Sequence, residues 1–222
     1  MAEFKVQIAE EKHKGLAEAI CKEMEESAKA RGTGIAKRNP DYIRKKIDEG
    51  KAVIATTKDG EFAGFCYIET WSHDKYVVNS GLIVAPQFRK EGLATKIKEK
   101  AFELSRKKYP NAKLFGLTTS AAVMKINSEL GYRPVTFSEL TDDEEFWKGC
   151  SSCVNFPILQ SKNYKNCLCT GMLYDPEEKN RKKWEFVKKS GIYERWQRLK
   201  NFKLLKAFRS GSRVLAFFGL AN

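Results

Sequence analysis

The stretch VAPQFRKEGLATK, Val84 to Lys96, decides the fold. An apolar run is followed by proline, an arginine and a single glycine, and then by a lysine-rich helical pattern. The N-terminus of a helix carries unpaired backbone N–H groups and a partial positive charge, so it attracts phosphate. Gly92 would let the backbone approach an anion closely, and Arg89 is suited to phosphate oxygens. The stretch therefore predicts a phosphate-binding loop between a strand and a helix.

Strands and helices alternate on both sides of this loop. Asn39 before Pro40 has the form of a helix cap followed by proline at the first helical position. The pair Asp59-Gly60 is a hairpin signal between two strands. Apolar periodicity predicts strands at 4–8, 51–57, 62–71, 75–84, 113–119 and 133–137, and helices at 13–30, 40–49, 93–107 and 121–130. The order predicts a mixed α/β (α+β) fold.

The loop and its surroundings resemble the GNAT acyltransferases. Arg89 to Ala94, R-K-E-G-L-A, matches the R/Q-x-x-G-x-G/A loop of that family and follows a strand, as the family requires. The strand LFGLTT and a short helix ending in ELGYRPV come next in the family's order. The resemblance covers residues 4–138. It implies a mixed central sheet, flanked by helices, whose fourth and fifth strands splay apart.

The resemblance also implies acyl-CoA as the donor substrate, either acetyl-CoA or another short acyl-CoA. In the family, backbone amides of the loop hold the coenzyme pyrophosphate, and the exposed edge of the fourth strand lines the pantetheine arm. The coenzyme-binding residues that follow from the match are Leu82, Ile83, Val84, Gln87, Arg89, Lys90, Glu91, Gly92, Leu93, Ala94 and Thr95.

The catalytic acid and base depart from the family pattern. Many members carry a tyrosine four residues before the glycine of the closing G-F/Y pair, as the acid for the thiolate, and this chain has Asn127 there. An amide can hydrogen-bond a thiolate but cannot protonate it, which leaves another residue or water as the acid. The fourth strand, YVVNSGLIV, lacks the carboxylate often used as the base. Glu69 is the candidate base and His73 the alternative. The competing interpretation is that Glu69 is a solvent-facing strand residue and His73 an ordinary loop residue.

The acyl acceptor is suggested by a closer resemblance within the family. KLFGLTT, GYRPV and KRNPDYI are similar to the acetyltransferase domain of N-acetylglutamate synthases. That likeness implies the α-amine of glutamate as acceptor, in a short form without a kinase domain, with Lys37 and Arg38 holding its carboxylates. The basic pair can equally be a solvated loop. Ser120, also a predicted substrate-binding residue, stands where the subgroup commonly has arginine.

Four cysteines follow the region of resemblance, as C-x2-C, thirteen residues, then C-x-C. Four thiolates can close a tetrahedral zinc site, so a structural zinc is one reading. The other readings are reduced cysteines packed as small apolar side chains, or a redox pair. The tentative metal ligands are Cys150, Cys153, Cys167 and Cys169. Cys21 and Cys66 fall in a predicted helix and strand and are expected in the core.

Charge is concentrated at the C-terminal end. Of the net +13, residues 177–222 carry thirteen Lys or Arg against four Glu, which is +9. We expect basic amphipathic helices that pack on their own domain or on a second subunit of a homo-oligomer, with contact to nucleic acid or a membrane as the alternative. The predicted segments are a GNAT domain at 1–140, a cysteine-bearing segment at 141–176 and the tail at 177–222.

The composition restricts the cellular setting. No run of about 18 apolar residues occurs, and the N-terminus is charged where a signal peptide would be apolar. We therefore expect a cytoplasmic protein with reduced cysteines.

Three functions remain open. The first is an N-acyltransferase for a small amine, with glutamate leading. The second is one that acts on a protein or another amine, and the third is a non-catalytic acyl-CoA sensor or tethering module.

Overall fold

A computed structural model describes residues 3–31 and 38–178. It contains a seven-stranded mixed sheet with the strand order β1-β2-β3-β4-β5-β7-β6, flanked by helices. The strands are β1 (Phe4–Ile8), β2 (Ala52–Thr57), β3 (Phe62–Trp71), β4 (Tyr76–Val84), β5 (Lys113–Thr118), β6 (Arg133–Val135) and β7 (Thr170–Tyr174). The helices are α1 (Ala17–Arg31), α2 (Pro40–Asp48), α3 (Leu93–Lys108), α4 (Ala121–Glu129), α5 (Glu144–Lys148) and α6 (Phe156–Ser161).

Local signals in the sequence set most of these bounds. The Asn39 side chain accepts a hydrogen bond from the Tyr42 N–H at 2.7 Å, and Pro40 opens α2, as predicted. The predicted bounds of β3 are confirmed, and those of α3 are confirmed to within one residue. The helix predicted from residue 13 instead begins as a 3-10 turn, Glu11–Leu16, because the buried His13 ring accepts a hydrogen bond from the Glu10 N–H.

The fourth and fifth strands separate, as the resemblance implies. β4 and β5 are parallel and pair only from Tyr76 to Val78 against Lys113 to Phe115, whereas the other neighbouring strands are antiparallel. Beyond Val78 the edge of β4 has no β5 partner. Its backbone groups on that edge are therefore available to a ligand.

The sheet has two covered faces, which alternate along β3 with the period of two that strands require. Phe65 and Tyr67 pack with α1 and α2, on what we call the α2 face. Cys66 and Ile68 pack with Leu93 and other residues of α3, on the α3 face. Neighbouring residues of one strand thus reach opposite sides of the molecule.

The sheet continues past residue 140, the predicted end of the first segment. β7 comes from the predicted cysteine-bearing segment and lies between β5 and β6, hydrogen-bonded to both. Residues 136–169 are the connection from β6 to β7, and Trp147 and Leu159 of this connection pack with Val78 and Phe115 on the α2 face. The first of the chain's two compact units ends at Asp175.

The predicted basic tail lies outside the described residues from 179 onward. Among the residues that the structure describes, no helix is both long and apolar enough to cross a membrane.

Candidate functional site

A pocket of about 400 Å³ lies where β4 and β5 diverge. Its walls come from α2, β3, β4, α3, β5, α4 and the connection from β6 to β7. Because no β-ladder closes the sheet at this point, residues from both faces line the same pocket. The volume is in the range of ordinary small-molecule sites.

A buried carboxylate stands on the α2 side of the pocket. Glu69, at the end of β3, is 8% exposed and accepts a hydrogen bond from the Tyr42 hydroxyl at Oε1. Arg38 Nη2 lies 3.9 Å from Glu69 Oε2, and Arg38 Nε donates to the Tyr67 hydroxyl at 2.8 Å. Burial, together with the charge of Glu69, raises the pKa of Tyr42, which therefore stays a hydrogen-bond donor. The predicted base is thus held in one orientation inside the pocket.

The alternative base and the second basic residue are not at this position. His73 is an exposed residue in the turn from β3 to β4 and is not part of the pocket lining. Lys37 falls among residues 32–37, outside the described part of the chain. Ser120 does line the pocket, and its side chain also caps α4 by accepting the Val123 N–H at 3.4 Å.

Two buried polar side chains lie on the α3 side of the pocket. Lys98 of α3 is 2% exposed and Asn127 of α4 is 1% exposed. Burial lowers the pKa of Lys98 to about 8. Asn127 Oδ1 has no hydrogen-bond partner among the described residues. Sequence reasoning did not single out Lys98, although helical spacing puts it on the face shared by Ala94 and Ala101, and a lysine there is unusual.

The predicted phosphate loop ends in a left-handed glycine. Gly92 has a φ of +74° and caps the N-terminus of α3. The first backbone hydrogen bonds of this helix run from the N–H groups of Thr95 and Lys96 to Gly92 O, so the amides of Leu93 and Ala94 have no intrahelical acceptor. A sixteen-residue helix with free amides at its start fits an anionic phosphate.

Arg89 contacts protein groups on β4 and α1. Its Nε donates to Val84 O at 2.9 Å, and its Nη2 lies 3.0 Å from Glu23 Oε1 and 2.9 Å from Ser27 Oγ. The side chain therefore fastens the loop to β4 and α1. The positive charge available to an anion comes from the N-terminal end of the α3 helix dipole. Gln87 is similarly engaged, since its Nε2 lies 3.1 Å from Glu61 Oε1.

A β-bulge shapes the β4 wall. Tyr67 pairs with Ser80 while Phe65 pairs with Ile83, so two residues, Gly81 and Leu82, oppose Cys66 alone. Gly81 has a φ of +64°, and a Cβ on it would lie 2.6 Å from the Tyr67 ring. Leu82 lines the pocket as a result. Of its predicted neighbours, Ile83 is in the α2-face core and Val84 packs against the α3-face core.

The four late cysteines surround a small apolar cavity beside the pocket. Cys150, Cys153, Cys167 and Cys169 line it together with Phe156 and Leu159. Burial, with the neighbouring thiols, raises the pKa of Cys150 to about 11 and that of Cys169 to about 12. Within residues 3–31 and 38–178, no group of three or more His, Cys, Asp or Glu side chains could hold a metal ion. The zinc prediction is therefore not supported.

Comparison with known proteins agrees with this geometry. The model of the acetyltransferase (GNAT) family matches residues 33–125. No curated protein matches the chain.

Solved structures share the fold at low sequence identity. N-acetylglutamate synthase from Neisseria gonorrhoeae, complexed with coenzyme A and N-acetyl-glutamate, has a TM-score of 0.56 at 16% identity, covering 79% of this chain. Rv2747 from Mycobacterium tuberculosis, in complex with CoA and NLQ, has a TM-score of 0.55 at 16% identity, covering 77% of this chain and 98% of its own. YncA from Salmonella typhimurium, with its cofactor acetyl-CoA, has a TM-score of 0.54 at 13% identity, over 78% and 94% of the two chains.

The fold and the pocket define a mixed α/β domain whose two central strands part around a cleft of about 400 Å³. The described residues share the fold of these solved structures, and residues 33–125 match the acetyltransferase (GNAT) family model. The chain spans 35% of the length of the Neisseria synthase.

Proposed function

We propose that this chain is an acyl-CoA-dependent N-acyltransferase whose acyl acceptor is a small primary amine, with the α-amine of glutamate as the leading candidate. One observation carries the proposal. A single pocket at the strand splay joins the buried, oriented Glu69 carboxylate on the α2 face to Lys98 of α3, the helix that begins after Gly92 with free backbone amides. An amine acyltransferase needs a base and a coenzyme site on either side of one reacting centre.

The coenzyme is held mainly by backbone. The free amides at the start of α3, after Gly92, receive the pyrophosphate, and the unpaired edge of β4 beside Leu82 lines the pantetheine arm. The same edge supplies N–H groups to the thioester oxygen as negative charge develops on it. Arg89 contributes by fixing the loop between β4 and α1.

Glu69 removes a proton from the incoming ammonium, directly or through one water molecule. The Tyr42 hydroxyl holds one carboxylate oxygen and Arg38 lies beside the other, so the carboxylate has a defined direction. The neutral amine then attacks the thioester carbonyl. General-base catalysis of this kind contributes about 100- to 10,000-fold.

Glutamate is favoured by the charge of the α2 side and by the resemblance to N-acetylglutamate synthases. Arg38 brings a partly buried guanidinium to the pocket, and such a group pairs well with a carboxylate. In this reading the protein is a cytoplasmic enzyme of arginine biosynthesis. The acyl group is acetyl, or another small group such as succinyl.

A larger or less polar amine, including one on a protein, is favoured by a different wall of the pocket. Trp71 and Phe146 line it with their ring centroids 5.6 Å apart, and Leu117 adds a further apolar surface. An acceptor with an apolar side chain would bury more surface there than glutamate does.

The test is coenzyme A release from acetyl-CoA and from succinyl-CoA, each with L-glutamate and with a panel of apolar and peptide amines. Glutamate-dependent release supports the leading candidate. Release with another amine alone keeps the enzyme and rejects glutamate. Tight acyl-CoA binding without release on any amine supports the sensor or tethering function.

Arg38→Met is the variant that tests whether Arg38 binds a carboxylate of glutamate. It should raise the KM for glutamate about 10- to 100-fold, because a charged hydrogen bond worth about 1.5–3 kcal/mol is lost, and leave the affinity for acetyl-CoA within about twofold. Lys29→Met on α1, an exposed ion-pair residue, is the matched control and should change neither value. An unchanged KM for glutamate in Arg38→Met would reject Arg38 as the carboxylate ligand.

A further inference from the structure

We propose that Lys98 is the general acid of the reaction and donates the proton that the departing coenzyme thiolate takes up. This inference rests on the proposed acyltransferase function and supplies the group that the sequence leaves unassigned. The family's tyrosine position holds Asn127, whose amide has no proton to give a thiolate.

The position of Lys98 follows from the two faces of the sheet. Glu69 and Tyr67 belong to the α2 side, whereas Lys98 lies near Cys66 and Tyr132, which are members of the α3-face core. Both sides reach one pocket, because β4 and β5 are unpaired beyond Val78. This arrangement suits an acyl transfer across the splay: the base reaches the amine from one face of the sheet, and the acid reaches the sulfur from the other.

The distance along α3 also fits a role beyond the phosphate loop. Lys98 comes six residues after Gly92, which is about 9 Å along a helix axis. Lys98 therefore lines the pocket farther along α3 than the amides that would hold the pyrophosphate. Ser80, Gly81 and Leu82 of β4, which would follow the pantetheine arm, line the same pocket.

The surroundings of Lys98 in the described part of the chain offer a ring contact but no counter-ion. Its Nζ lies 5.4 Å from the Tyr132 ring centroid, and among the described residues it has no ion pair or hydrogen bond. The nearest titratable groups are neutral at pH 7, since burial raises the pKa of Cys66 to about 11 and raises that of Tyr132 as well. A buried cation without a counter-ion is costly, and such groups cluster at functional sites.

Asn127 supplies a second, independent observation. Its side chain is almost fully buried, lines the same pocket, and leaves Oδ1 without a partner in the described part of the chain. Among the residues that the structure describes, a lysine without a counter-ion on α3 and an amide oxygen without a hydrogen-bond partner on α4 therefore line one pocket, where we place the sulfur of the coenzyme. A bound thiol can donate to Asn127 Oδ1 after the reaction.

The C–S bond of the tetrahedral intermediate breaks and its electron pair goes to sulfur, which takes a proton from the Lys98 ammonium. The nitrogen that has become an amide loses its second amine proton, and that proton returns to Lys98 through water in the pocket. The first proton, taken by Glu69, leaves to solvent. Because burial holds the pKa of Lys98 at about 8, the group is charged at neutral pH and yet gives up its proton readily.

The kinetic test compares Lys98→Met with Lys100→Met. Lys98→Met keeps the side-chain volume and removes a buried charge, so it should fold; Lys100 is a partly exposed residue of the same helix and is the control. We expect kcat to fall about 100-fold in Lys98→Met with both KM values within about threefold, and Lys100→Met to match the wild type. An unchanged kcat, or a raised KM for the amine with kcat retained, would overturn the proposal.

The pH profile separates proton donation from packing. In the wild type kcat should decline above about pH 8 as the Lys98 ammonium loses its proton, and the decline should be absent from the residual activity of Lys98→Met. The same alkaline decline in the variant would show that another group is the acid.

A binding measurement tests Lys98 even if no amine is turned over. The pKa of the thiol of bound coenzyme A is measured from the ultraviolet absorption of its thiolate as a function of pH. The acetyl-CoA complex, which has no free thiol, is subtracted as the blank. An ammonium beside the sulfur should lower the pKa of the thiol by about one unit or more in the wild type relative to Lys98→Met. Equal values in the two proteins would place Lys98 away from the sulfur, whereas a shift without turnover would reject the proposed function and keep this placement.

Discussion

The two sides of the sheet are built in different ways around the candidate site. On the α3 side, the loop that should hold the coenzyme phosphates comes from consecutive residues, and its main groups are backbone amides after Gly92. On the α2 side, the wall comes from Arg38, Glu69 and Phe146, which are far apart in the chain. Backbone amides tolerate changes of side chain, whereas a wall of side chains changes its chemistry with each substitution. The coenzyme should therefore be more predictable from this fold than the acyl acceptor.

Glu69→Gln is expected to have the largest effect on activity, and it tests whether the two sides act separately. The amide keeps the shape of the side chain but cannot accept the ammonium proton, so kcat/KM for the amine should fall at least about 100-fold. Since Glu69 lies on the α2 side, calorimetric affinity for acetyl-CoA should stay within about twofold of the wild type.

Glu99→Gln, an exposed carboxylate on α3, is the matched control and should retain full activity. If Glu69→Gln kept near-normal turnover, the base would lie elsewhere. If it weakened acetyl-CoA binding as much as turnover, the separation of the two sides would fail.

Gly92→Ala addresses the coenzyme side alone. The φ of +74° is a left-handed conformation that costs a residue with a Cβ about 1–2 kcal/mol, although no atom lies within 4 Å of where that Cβ would be. We expect the Kd for acetyl-CoA to rise about tenfold as the helix N-terminus shifts, while kcat at saturating donor changes little.

Gly15→Ala is the control for Gly92→Ala, because Gly15 has the same free space and is not among the glycines with positive φ. Equal acetyl-CoA affinity in both variants would contradict a phosphate site at the start of α3.

The smallest expected effect concerns the cysteine cavity beside the pocket. Cys169→Ser places a hydroxyl in an apolar cavity and should lower the free energy of unfolding by about 1–3 kcal/mol. Cys169→Ala should cost less, because it buries no polar group. Denaturant unfolding of the reduced proteins measures both.

Zinc content of the same samples decides between the zinc reading and the packed-thiol reading of the cysteines. Stoichiometric zinc in the wild type, lost together with folding in both variants, would restore the metal reading and contradict the packed-thiol one.

The fold was largely predictable from the sequence because its main signals are local. The cap at Asn39, the hairpin at Asp59-Gly60 and the loop at Gly92 each depend on a few adjacent residues, and the structure bears out the elements that they delimit. The position of β7 was not predictable in this way. Its pairing with β5 and β6 is set by contacts across more than 35 residues, and the segment before it has no strong periodicity.

The site residues differ in the same way: some are marked by local sequence signals, and others are brought to the site only by tertiary packing. Glu69 could be nominated because it closes a clearly predicted strand, and Arg38 because it precedes a clear helix cap. Lys98 could not, because only the splay between β4 and β5 shows that the inner face of α3 meets the pocket there. Arg89 was predicted to face a phosphate, and its ties to Glu23 and Ser27 depend on how α1 packs over the loop.

A crystal structure of the chain with coenzyme A tests the central claim most directly. We predict the pyrophosphate at the amides that follow Gly92, the pantetheine arm along β4, and the sulfur within hydrogen-bonding reach of Lys98 and Asn127, with Glu69 across the splay. A coenzyme whose sulfur lies outside the pocket that joins Glu69 to Lys98 would contradict both the proposed reaction and the assignment of its acid.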